Sequence, residues 1–437
     1  MKKTKILLIS PVIDPDPKLK IPAGLIIPQL ALRILEGLTP CEYKVKIVEE
    51  ELDILNLEEK CDLVGISCMT ANAPRAYELA KEFKDRGKKV ILGGVHPTIL
   101  YEEAIQHADS VIVGEAENVW EQVLEDFKNG TLKKRYHSPP SLIDKYIPQK
   151  YNKHKKFSFF DVIPVMTTRG CPYNCEFCCV SNLYGKKIRH VPVENVVRTI
   201  KESKRKYIIF LDDNIVGDVP YAKLLFKAIK SLKIKWVGQA SIKFTNDKEF
   251  MKLAAESGCI ALFFGIESIS KVQLDKLNKS IKNMDKLEEA IKRVQDVGIH
   301  FHASLIFGFD TDKKDVFQDV LNFLQKNKIA TASFNILTPY PGTKMYEQFK
   351  SENRLLTTNW KYYDHATAVY RPKNMTPYEL QEGVMWVKKE FSKISSILKR
   401  FPANLSHPFL YLFINGGIRK NVKKDKKKLK VLVSEIF

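Results

Sequence analysis

The chain has 437 residues, and its 71 Lys and Arg against 51 Asp and Glu give a net charge of +20. This length predicts two to three domains, each large enough to bury a core. The 28% of charged residues, with 20 Gly and 21 Pro, excludes a collagen, a coiled coil and a wholly disordered chain. No apolar run approaches the ~18 residues of a membrane span, and no signal-peptide core opens the chain, so we expect a cytoplasmic protein.

Residues 1–135 alternate short β-branched runs with stretches of helical period. The predicted strands are Lys5–Ser10, Tyr43–Val48, Asp62–Cys68, Lys89–Leu92 and Ser110–Val113, and one predicted helix is Arg75–Lys84. Strands that alternate with helices in this way are typical of an α/β fold with a doubly wound parallel sheet, here of the flavodoxin-like type.

Small and polar residues follow these strands, at the edge where doubly wound sheets bind ligands. The candidate binding residues at this edge are Thr70, Gly93, Gly94, His96, Gly114 and Glu115. Because glycine lets a ligand approach the backbone closely, a large flat cofactor fits there. Alternatively, Gly93 and Gly94 only turn the chain, and these residues alone do not decide between the two interpretations.

Residues 136–160 are a predicted linker, and a second alternating block occupies residues 161–345. Its predicted strands are Ile163–Thr168, Tyr207–Leu211, Lys235–Ala240, Ala261–Ile266, His300–Phe307 and Thr331–Leu337, with helices at Tyr221–Ser231, Asp247–Ser257 and Met284–Val297. Six such units predict a partial (β/α)6 barrel of TIM-like type, whose reactive end is at the carboxyl ends of the strands. His300 and His302 alternate with Phe301 on one predicted strand, and we interpret both as hydrogen-bonded core histidines.

Residues 346–437 are predicted to be rich in helix, with an amphipathic segment at Pro377–Phe391 and a basic tail. Residues 419–430 contain eight Lys and Arg and a single Asp. Such a run is most often a solvated terminus, but it also suits anionic lipid, so a membrane surface is retained as a partner and nucleic acid is not expected. Aromatic residues near His365 either line a substrate pocket or belong to the core.

Four of the eight cysteines fall within nine residues, and three of them, Cys171, Cys175 and Cys178, are spaced four and three apart. They directly follow the first strand of the second block, at the reactive end of the predicted barrel. Three thiolates in one loop can hold three irons of a [4Fe-4S] cluster and leave the fourth iron open. Clustered cysteines in a chain without a secretion signal favour metal over disulfides.

Zinc is the competing metal for this loop. A structural zinc site needs four protein ligands, and the nearby candidates are only Cys179 and His190. Cys179 is adjacent to Cys178, which makes a cramped pair of ligands for one tetrahedral ion. The sequence therefore favours the iron–sulfur cluster.

The Cys-x3-Cys-x-aromatic-Cys loop after a first barrel strand resembles that of the radical S-adenosylmethionine superfamily. The resemblance implies that the open iron chelates S-adenosylmethionine, that an external electron donor of flavodoxin or ferredoxin type reduces the cluster, and that a 5′-deoxyadenosyl radical forms. It makes Cys171, Cys175 and Cys178 the cluster ligands. It also makes Phe177, Asp212, Asp213, Glu267 and Ser268 contacts of S-adenosylmethionine, because these residues stand in segments similar to the motif loop and the strand-end motifs of the superfamily.

A doubly wound domain before such a barrel is similar to the cobalamin-binding subclass, in the branch that contains hopanoid and bacteriochlorophyll methylases. The resemblance implies cobalamin at the edge formed by Gly93, Gly94 and Gly114. The Asp-x-His-x-x-Gly pattern that supplies a cobalt ligand in some cobalamin proteins is absent, and His96 and His107 are the histidines of residues 1–135. We therefore expect cobalamin, if the domain retains it, without a histidine from that motif.

The resemblance implies a cobalamin-dependent methyltransferase that acts on an unactivated carbon of a small molecule, bulky and apolar by analogy, and consumes two S-adenosylmethionine molecules per turnover. One alternative keeps the radical step but ends in oxidation, cyclisation or rearrangement. Another is a non-catalytic cobalamin or iron–sulfur sensor that uses the basic tail on nucleic acid. An iron left open for chelation argues against the sensor, and no second cysteine trio supports a methylthiotransferase.

Overall fold

The structure is a computed structural model that describes residues 3–15, 27–140, 142–149, 151, 161–173, 175–277 and 284–436. Of residues 423–435 it describes the helical backbone alone, so the side chains of most of the basic tail lie outside the described part. Most of the second half of the predicted linker, residues 152–160, also lies outside it.

The first six strands form one parallel sheet in the order β2-β1-β3-β4-β5-β6. Their bounds are Lys5–Ser10, Lys44–Glu49, Leu63–Ser67, Lys89–Gly93, Ser110–Gly114 and Arg135–Ser138. The central strands are continuous apolar runs because both faces of a parallel sheet are covered. Along β1, Leu7 packs into the core on one face with Phe83, and Leu8 packs into the core on the other face with Trp120. This confirms the doubly wound fold.

The strand β6 was not predicted. Its sequence Arg-Tyr-His-Ser has alternate residues buried, as suits the edge of a sheet, and offers no apolar run. It crosses the predicted limit of the first domain at residue 135 and adds His137 to the histidines of this sheet. The helices that accompany the sheet are α1 Leu30–Leu38, α2 Ala73–Asp85, α3 Val95–Ile99, α4 Tyr101–Ala104 and α5 Trp120–Lys128.

The second sheet is also parallel, in the order β14-β13-β12-β11-β10-β7. These strands are β7 Val162–Val165, β10 Tyr207–Phe210, β11 Lys235–Ala240, β12 Cys259–Glu267, β13 His300–Phe307 and β14 Thr331–Ile336. Within the described residues, β7 and β14 are the two edges, which confirms the partial barrel. The predicted first strand is divided: β7 ends at Val165, and β8 (Thr168–Arg169) pairs antiparallel with β9 (Arg189–His190).

Helices cover the outer face of the second sheet. They are α7 Val193–Ser203, α8 Val219–Lys230, α9 Lys248–Glu256, α10 Lys271–Lys276, α11 Met284–Asp296 and α12 Val316–Lys326, whereas α6 Val180–Tyr184 follows the cysteine loop and contacts α3. Two of them begin at side-chain caps that the sequence carries: Asp218 accepts from Tyr221 N–H and Asp247 accepts from Phe250 N–H.

The C-terminal region contains α13 Lys344–Ser351, α14 Pro377–Phe391, α15 Ile394–Arg400 and α16 Pro408–Glu435. The helix α14 agrees with its prediction and begins at a capping box between Thr376 and Glu379. The buried Arg400 donates to Ile329 O at 2.7 Å and Ala330 O at 2.9 Å, which fixes α15 against the barrel. Among the described residues, no helix is long and apolar enough to cross a bilayer.

Candidate active site

The loop that carries the three clustered cysteines is closed at its base by the β8–β9 pair. Cys171 N–H donates to Gly185 O at 3.3 Å, and Cys178 N–H donates to Cys175 O at 3.1 Å. Gly170 has φ +94°, and a Cβ there would clash with Lys187 O, so glycine is required immediately before the first cysteine. The fold thereby holds a short loop of thiols at the carboxyl end of the second sheet.

The side chains of Cys171, Cys175 and Cys178 are partly exposed. Burial, reinforced by Cys179, Cys175 and Asp213, raises the pKa of Cys178 to about 12. Three such thiols among acidic neighbours suit a group that brings positive charge, because a bound metal deprotonates its thiol ligands. The donor set is of the type that holds an iron–sulfur cluster, and the assignment of these cysteines as its ligands remains a prediction.

The two candidates for a fourth zinc ligand, His190 and Cys179, have other surroundings than a zinc site would give them. His190 Nε2 lies 3.2 Å from Asp218 Oδ2, and its ring packs on Tyr221. Cys179 is the residue before α6. Over the part of the chain that the structure describes, no three His, Cys, Asp or Glu side chains converge on one metal-ion position. A [4Fe-4S] cluster distributes its cysteines over different irons.

The two acidic residues after β10 have different environments. Asp212 is buried and accepts hydrogen bonds from the backbone N–H and the hydroxyl groups of both Thr167 and Thr168. These hydrogen bonds hold the segment that leads into the cysteine loop, and a contact of Asp212 with S-adenosylmethionine remains a prediction. Asp213 is the carboxylate beside the loop: burial and the charge of Asp212 raise its pKa to about 6, and it in turn raises the pKa of Cys178.

Phe177 is partly buried and packs against the main core of the barrel. Glu267 ends β12 at φ +65°, a left-handed conformation that is uncommon outside glycine, where the pairing of β12 with β13 shifts register. Ser268 is buried and accepts from Ser270 N–H. These three residues lie at the reactive end as predicted, and their contacts with S-adenosylmethionine remain predictions.

The inner face of the second sheet is polar. In β13 and β14 the less buried residues alternate with core residues, and the register places Ser304 beside Ser333 and Ile306 beside Asn335. His302 lies on the same face, and its nitrogens are 2.8 Å from the hydroxyls of Thr331 and Ser333. Burial lowers the pKa of His302 to about 4, so it is a neutral core histidine, as interpreted from the sequence. His300 is buried as well, with Nε2 3.2 Å from Asn404 O.

The C-terminal region adds a Tyr–His pair near the cysteine loop. Tyr340 belongs to the turn after β14, whose Gly342 O accepts from Asn182 Nδ2 at 2.8 Å. Tyr340 donates its proton to Tyr363 O at 2.7 Å, so at 3.1 Å it must accept from His365 Nε2–H. The other ring nitrogen of His365, Nδ1, is then an unprotonated acceptor. Burial lowers the pKa of His365, so the ring is neutral at pH 7 although the residue keeps solvent-accessible surface.

Trp360, Tyr362 and Tyr363 have structural roles. Tyr362 and Tyr363 are buried in a small aromatic core. Trp360 Nε1 donates to Glu103 Oε1 at 2.9 Å and the ring packs against His96, so it joins the C-terminal region to the first domain. Of the C-terminal residues considered from the sequence, His365 is the one that suits a substrate pocket.

At the edge of the first sheet, two glycines are explained by the protein itself. Gly94 (φ +103°) lies against Cys68, where a Cβ would be 2.5 Å from Cys68 O. At Gly114 (φ +97°) a Cβ would clash with Ser138 O of β6. Glycine is therefore needed at both positions for the fold itself, which favours the interpretation that Gly94 and Gly114 turn the chain. Gly93 differs, because a Cβ there would meet only Ile112 Cβ, at 3.9 Å.

Two further candidates of this edge are also enclosed. Thr70 is buried, and the neighbouring Met69 is the exposed residue. His96 is fully buried, with Nε2 3.3 Å from Glu103 Oε1, and its contact with cobalamin remains a prediction. His107 is stacked on Tyr77.

Glu115 joins the two sheets. It is buried and accepts from Arg169 Nη1 at 2.7 Å and Arg189 Nη1 at 2.9 Å, while Arg169 also pairs with Glu117. These contacts connect the carboxyl end of β5 to the β8–β9 pair beneath the cysteine loop, so Glu115 is a docking residue between the two sheets, and its contact with cobalamin remains a prediction. The arginines were not predicted from the sequence, although Arg169, two residues before Cys171, was a visible signal.

The contacts of Glu115 bring the carboxyl edges of the two sheets next to each other, and the region where they meet is here called the cleft. Exposed apolar side chains belong to both edges: Met69 follows β3, Leu211 follows β10 and Tyr173 lies in the cysteine loop. With Gly93 beside Met69, the first edge offers an apolar surface without bulky side chains, which fits a large flat macrocycle.

Comparisons with known proteins agree with this arrangement. The model of the Radical SAM superfamily matches residues 165–324, and that of the B12 binding domain matches residues 22–124. The bacteriochlorophyllide d C-8(2)-methyltransferase of Chlorobaculum tepidum is 32% identical over 379 residues, which are 82% of this chain and 83% of that protein. The hopanoid C-2 methylase of Rhodopseudomonas palustris is 22% identical over 346 residues, 75% of this chain and 65% of that protein.

A solved structure shows the same fold over the whole chain. The cobalamin-dependent S-adenosylmethionine radical enzyme OxsB, with aqua-cobalamin bound, superposes with a TM-score of 0.66 at 15% identity. The match covers 99% of this chain and 80% of OxsB.

Proposed function

Because the chain belongs to the radical S-adenosylmethionine superfamily, in the subclass with a B12-binding domain, we propose that it transfers a methyl group to an unactivated carbon of a bulky, mainly apolar small molecule. The methyltransferase activity follows the relatives, which methylate carbon. The nature of the substrate is our inference from the cleft.

The cofactors of this family are a [4Fe-4S] cluster, S-adenosylmethionine and cobalamin. When bound, the cluster and S-adenosylmethionine supply a radical that abstracts hydrogen, and cobalamin supplies the methyl group. Cys171, Cys175 and Cys178 would hold the cluster, and Asp213 lies beside them to meet the amino group of S-adenosylmethionine. Gly93 and Met69 would face the corrin ring.

The observation that carries the proposal is that the two carboxyl edges lie next to each other. Glu115, paired with Arg169 and Arg189, holds the edge of the first sheet against the base of the cysteine loop. A substrate between the edges has the cobalamin side on one face and the cysteine loop on the other.

The side chains around the cleft indicate what the substrate offers. Met69, Leu211 and Tyr173 provide apolar contact area, which supports a bulky apolar body. His365 presents Nδ1 as an acceptor, which supports at least one hydrogen-bond donor on the substrate. We assign His365 as a substrate-positioning residue on this basis.

The electron supply and the compartment complete the proposal. The structure describes all eight cysteines and joins none of them in a disulfide, which supports a reducing compartment, and we propose the cytoplasm. There a flavodoxin or ferredoxin would deliver the electrons that the reaction consumes.

Anaerobically reconstituted protein tests the proposal with S-adenosylmethionine deuterated in its methyl group and a panel of tetrapyrrole and hopanoid substrates. We expect a product that carries the labelled methyl, with 5′-deoxyadenosine and S-adenosylhomocysteine formed in equal amounts. Formation of 5′-deoxyadenosine with substrate but without labelled product would contradict methyl transfer.

The matched controls exchange cysteines. Replacing Cys171, Cys175 and Cys178 by Ala should abolish the visible absorption of the cluster and the cleavage of S-adenosylmethionine. Cys259→Ala, at a buried cysteine of β12 away from the loop, should retain both. Cleavage that persists in the triple variant would refute the assignment of the loop.

A further inference from the structure

The helices α15 and α16 and the segment between them expose a group of large apolar side chains that the proposed reaction does not use. Each of them is 50% to 61% exposed, and all fall within 19 residues of the chain. They are Ile394, Leu398, Leu405, Phe409 and Leu412, here called the apolar face. Exposed apolar side chains are unremarkable singly, but a group of this kind marks an interaction site.

The opposite sides of the same two helices are fixed on the barrel. Tyr411 is fully buried and donates to Ile397 O at 2.7 Å. Asn415 is buried too, and it donates to Ala330 O at 3.2 Å. These contacts hold the helices in place, so the apolar face is a permanent feature of the folded protein.

The spacing puts the exposed residues of each helix on one side. Ile394 and Leu398 are four residues apart on α15, and Phe409 and Leu412 are three apart on α16. Residues three and four apart share a helix face. Phe409 also stacks on Phe413, with ring centroids 6.1 Å apart.

The segment that carries the apolar face is strongly basic, and one of its lysines, Lys393, pairs with Glu390 of α14. Residues 391–424 contain seven Lys and Arg and no Asp or Glu, and the same helix continues into the lysine-rich segment 423–430. Among the described basic residues, Lys393, Lys399 and Lys420 are exposed. Apolar side chains next to lysines are typical of segments that lie in the interface of an anionic membrane.

We propose that the apolar face and the lysine-rich segment bind the surface of an anionic lipid bilayer. The apolar side chains would enter the headgroup region while the lysines meet the lipid charge. A second copy of the chain is the less suitable occupant, because association would bring two strongly basic segments together. A membrane-bound enzyme would also have access to apolar substrates dissolved in the bilayer.

Vesicle sedimentation tests this with the full-length, reconstituted protein and without substrate, so the result is independent of methyl transfer. Extruded vesicles of phosphatidylcholine alone are compared with vesicles that contain 30% phosphatidylglycerol. We expect at least tenfold stronger partition into the anionic vesicles, and a several-fold decrease when salt rises from 0.1 to 0.5 M.

Two sets of variants separate the contributions. Phe409→Ser with Leu412→Ser should lower partition at least tenfold, and replacing Lys423, Lys424, Lys426, Lys427 and Lys428 by Gln should remove the preference for anionic lipid. The matched control, Leu224→Ser with Val272→Ser, changes side chains exposed by 62% and 59% elsewhere on the barrel and should stay within twofold of the parent. Circular dichroism checks that each variant is folded.

Two results would overturn the inference. One is equal sedimentation of the parent and the Phe409/Leu412 double variant with anionic vesicles, or no sedimentation of either. The other is a dimer, seen by sedimentation velocity, that the double variant dissociates while vesicles bind neither form; the apolar face would then belong to a second copy of the chain.

Discussion

Replacing Glu115 by Ala removes the carboxylate that links the two sheets. Its side chain is 3% exposed, and those of its partners Arg169 and Arg189 are 10% and 13% exposed, so solvent would compensate them poorly. Charge-assisted hydrogen bonds contribute about 1.5–3 kcal/mol each, but those made to one carboxylate are not additive. Removing one partner of a buried ion pair costs about 3–5 kcal/mol, which is the loss that we expect for this variant.

Thermal unfolding and product analysis measure the effect. A loss of this size lowers the apparent melting temperature by roughly 10 °C for a domain of this kind. Methyl transfer needs both edges of the cleft, whereas cleavage of S-adenosylmethionine needs the cysteine loop alone. We therefore expect the ratio of methylated product to 5′-deoxyadenosine to fall at least tenfold in Glu115→Ala.

Glu117→Ala is the matched control, since Glu117 is more exposed and pairs with Arg169 but not with Arg189 in the contacts described above. It should lower the melting temperature by less than half as much. If Glu115→Ala melted within 1 °C of the parent and kept the same product ratio, the assignment of Glu115 as the docking residue would be wrong.

Three further predictions follow from individual contacts. His365→Ala should raise the KM for substrate about tenfold with a smaller change in kcat, as expected for the loss of one hydrogen bond. His365→Asn keeps a hydrogen-bond acceptor and should recover part of the lost affinity. Burial raises the pKa of Asp312 from 3.8 to about 6, so the folded state holds a proton that the unfolded state releases at lower pH. The free energy of unfolding should therefore fall by up to about 3 kcal/mol as pH rises from 4 to 6. Urea unfolding of Asp312→Asn should not show that decrease. Gly114→Ala should lower the melting temperature of cofactor-free protein well below that of Gly130→Ala, because both glycines have positive φ but only at Gly114 would the Cβ clash; equal melting temperatures would restore the cofactor interpretation of Gly114.

The sequence by itself determined the order of the elements and the cysteine loop. Strands that are buried on both faces are continuous apolar runs, so β1 and β3 were visible from their local sequence. The cysteine spacing of four and three is a local property of one loop and needs no knowledge of the rest of the fold. The strand β6 was not predicted because an edge strand is buried on one side only, and four residues are too few to show that alternating pattern.

Only the tertiary structure shows which polar residues at the strand ends form hydrogen bonds with other residues of the protein. Asp212 and Glu115 follow strands, as ligand-binding residues do. In the structure Asp212 accepts hydrogen bonds from Thr167 and Thr168, and Glu115 accepts hydrogen bonds from two arginines more than 50 positions away. The Tyr340–His365 pair likewise arises from contacts across 25 residues. A one-dimensional sequence shows that a carboxylate stands at a strand end, but hydrogen bonds form between groups that only packing brings within about 3 Å.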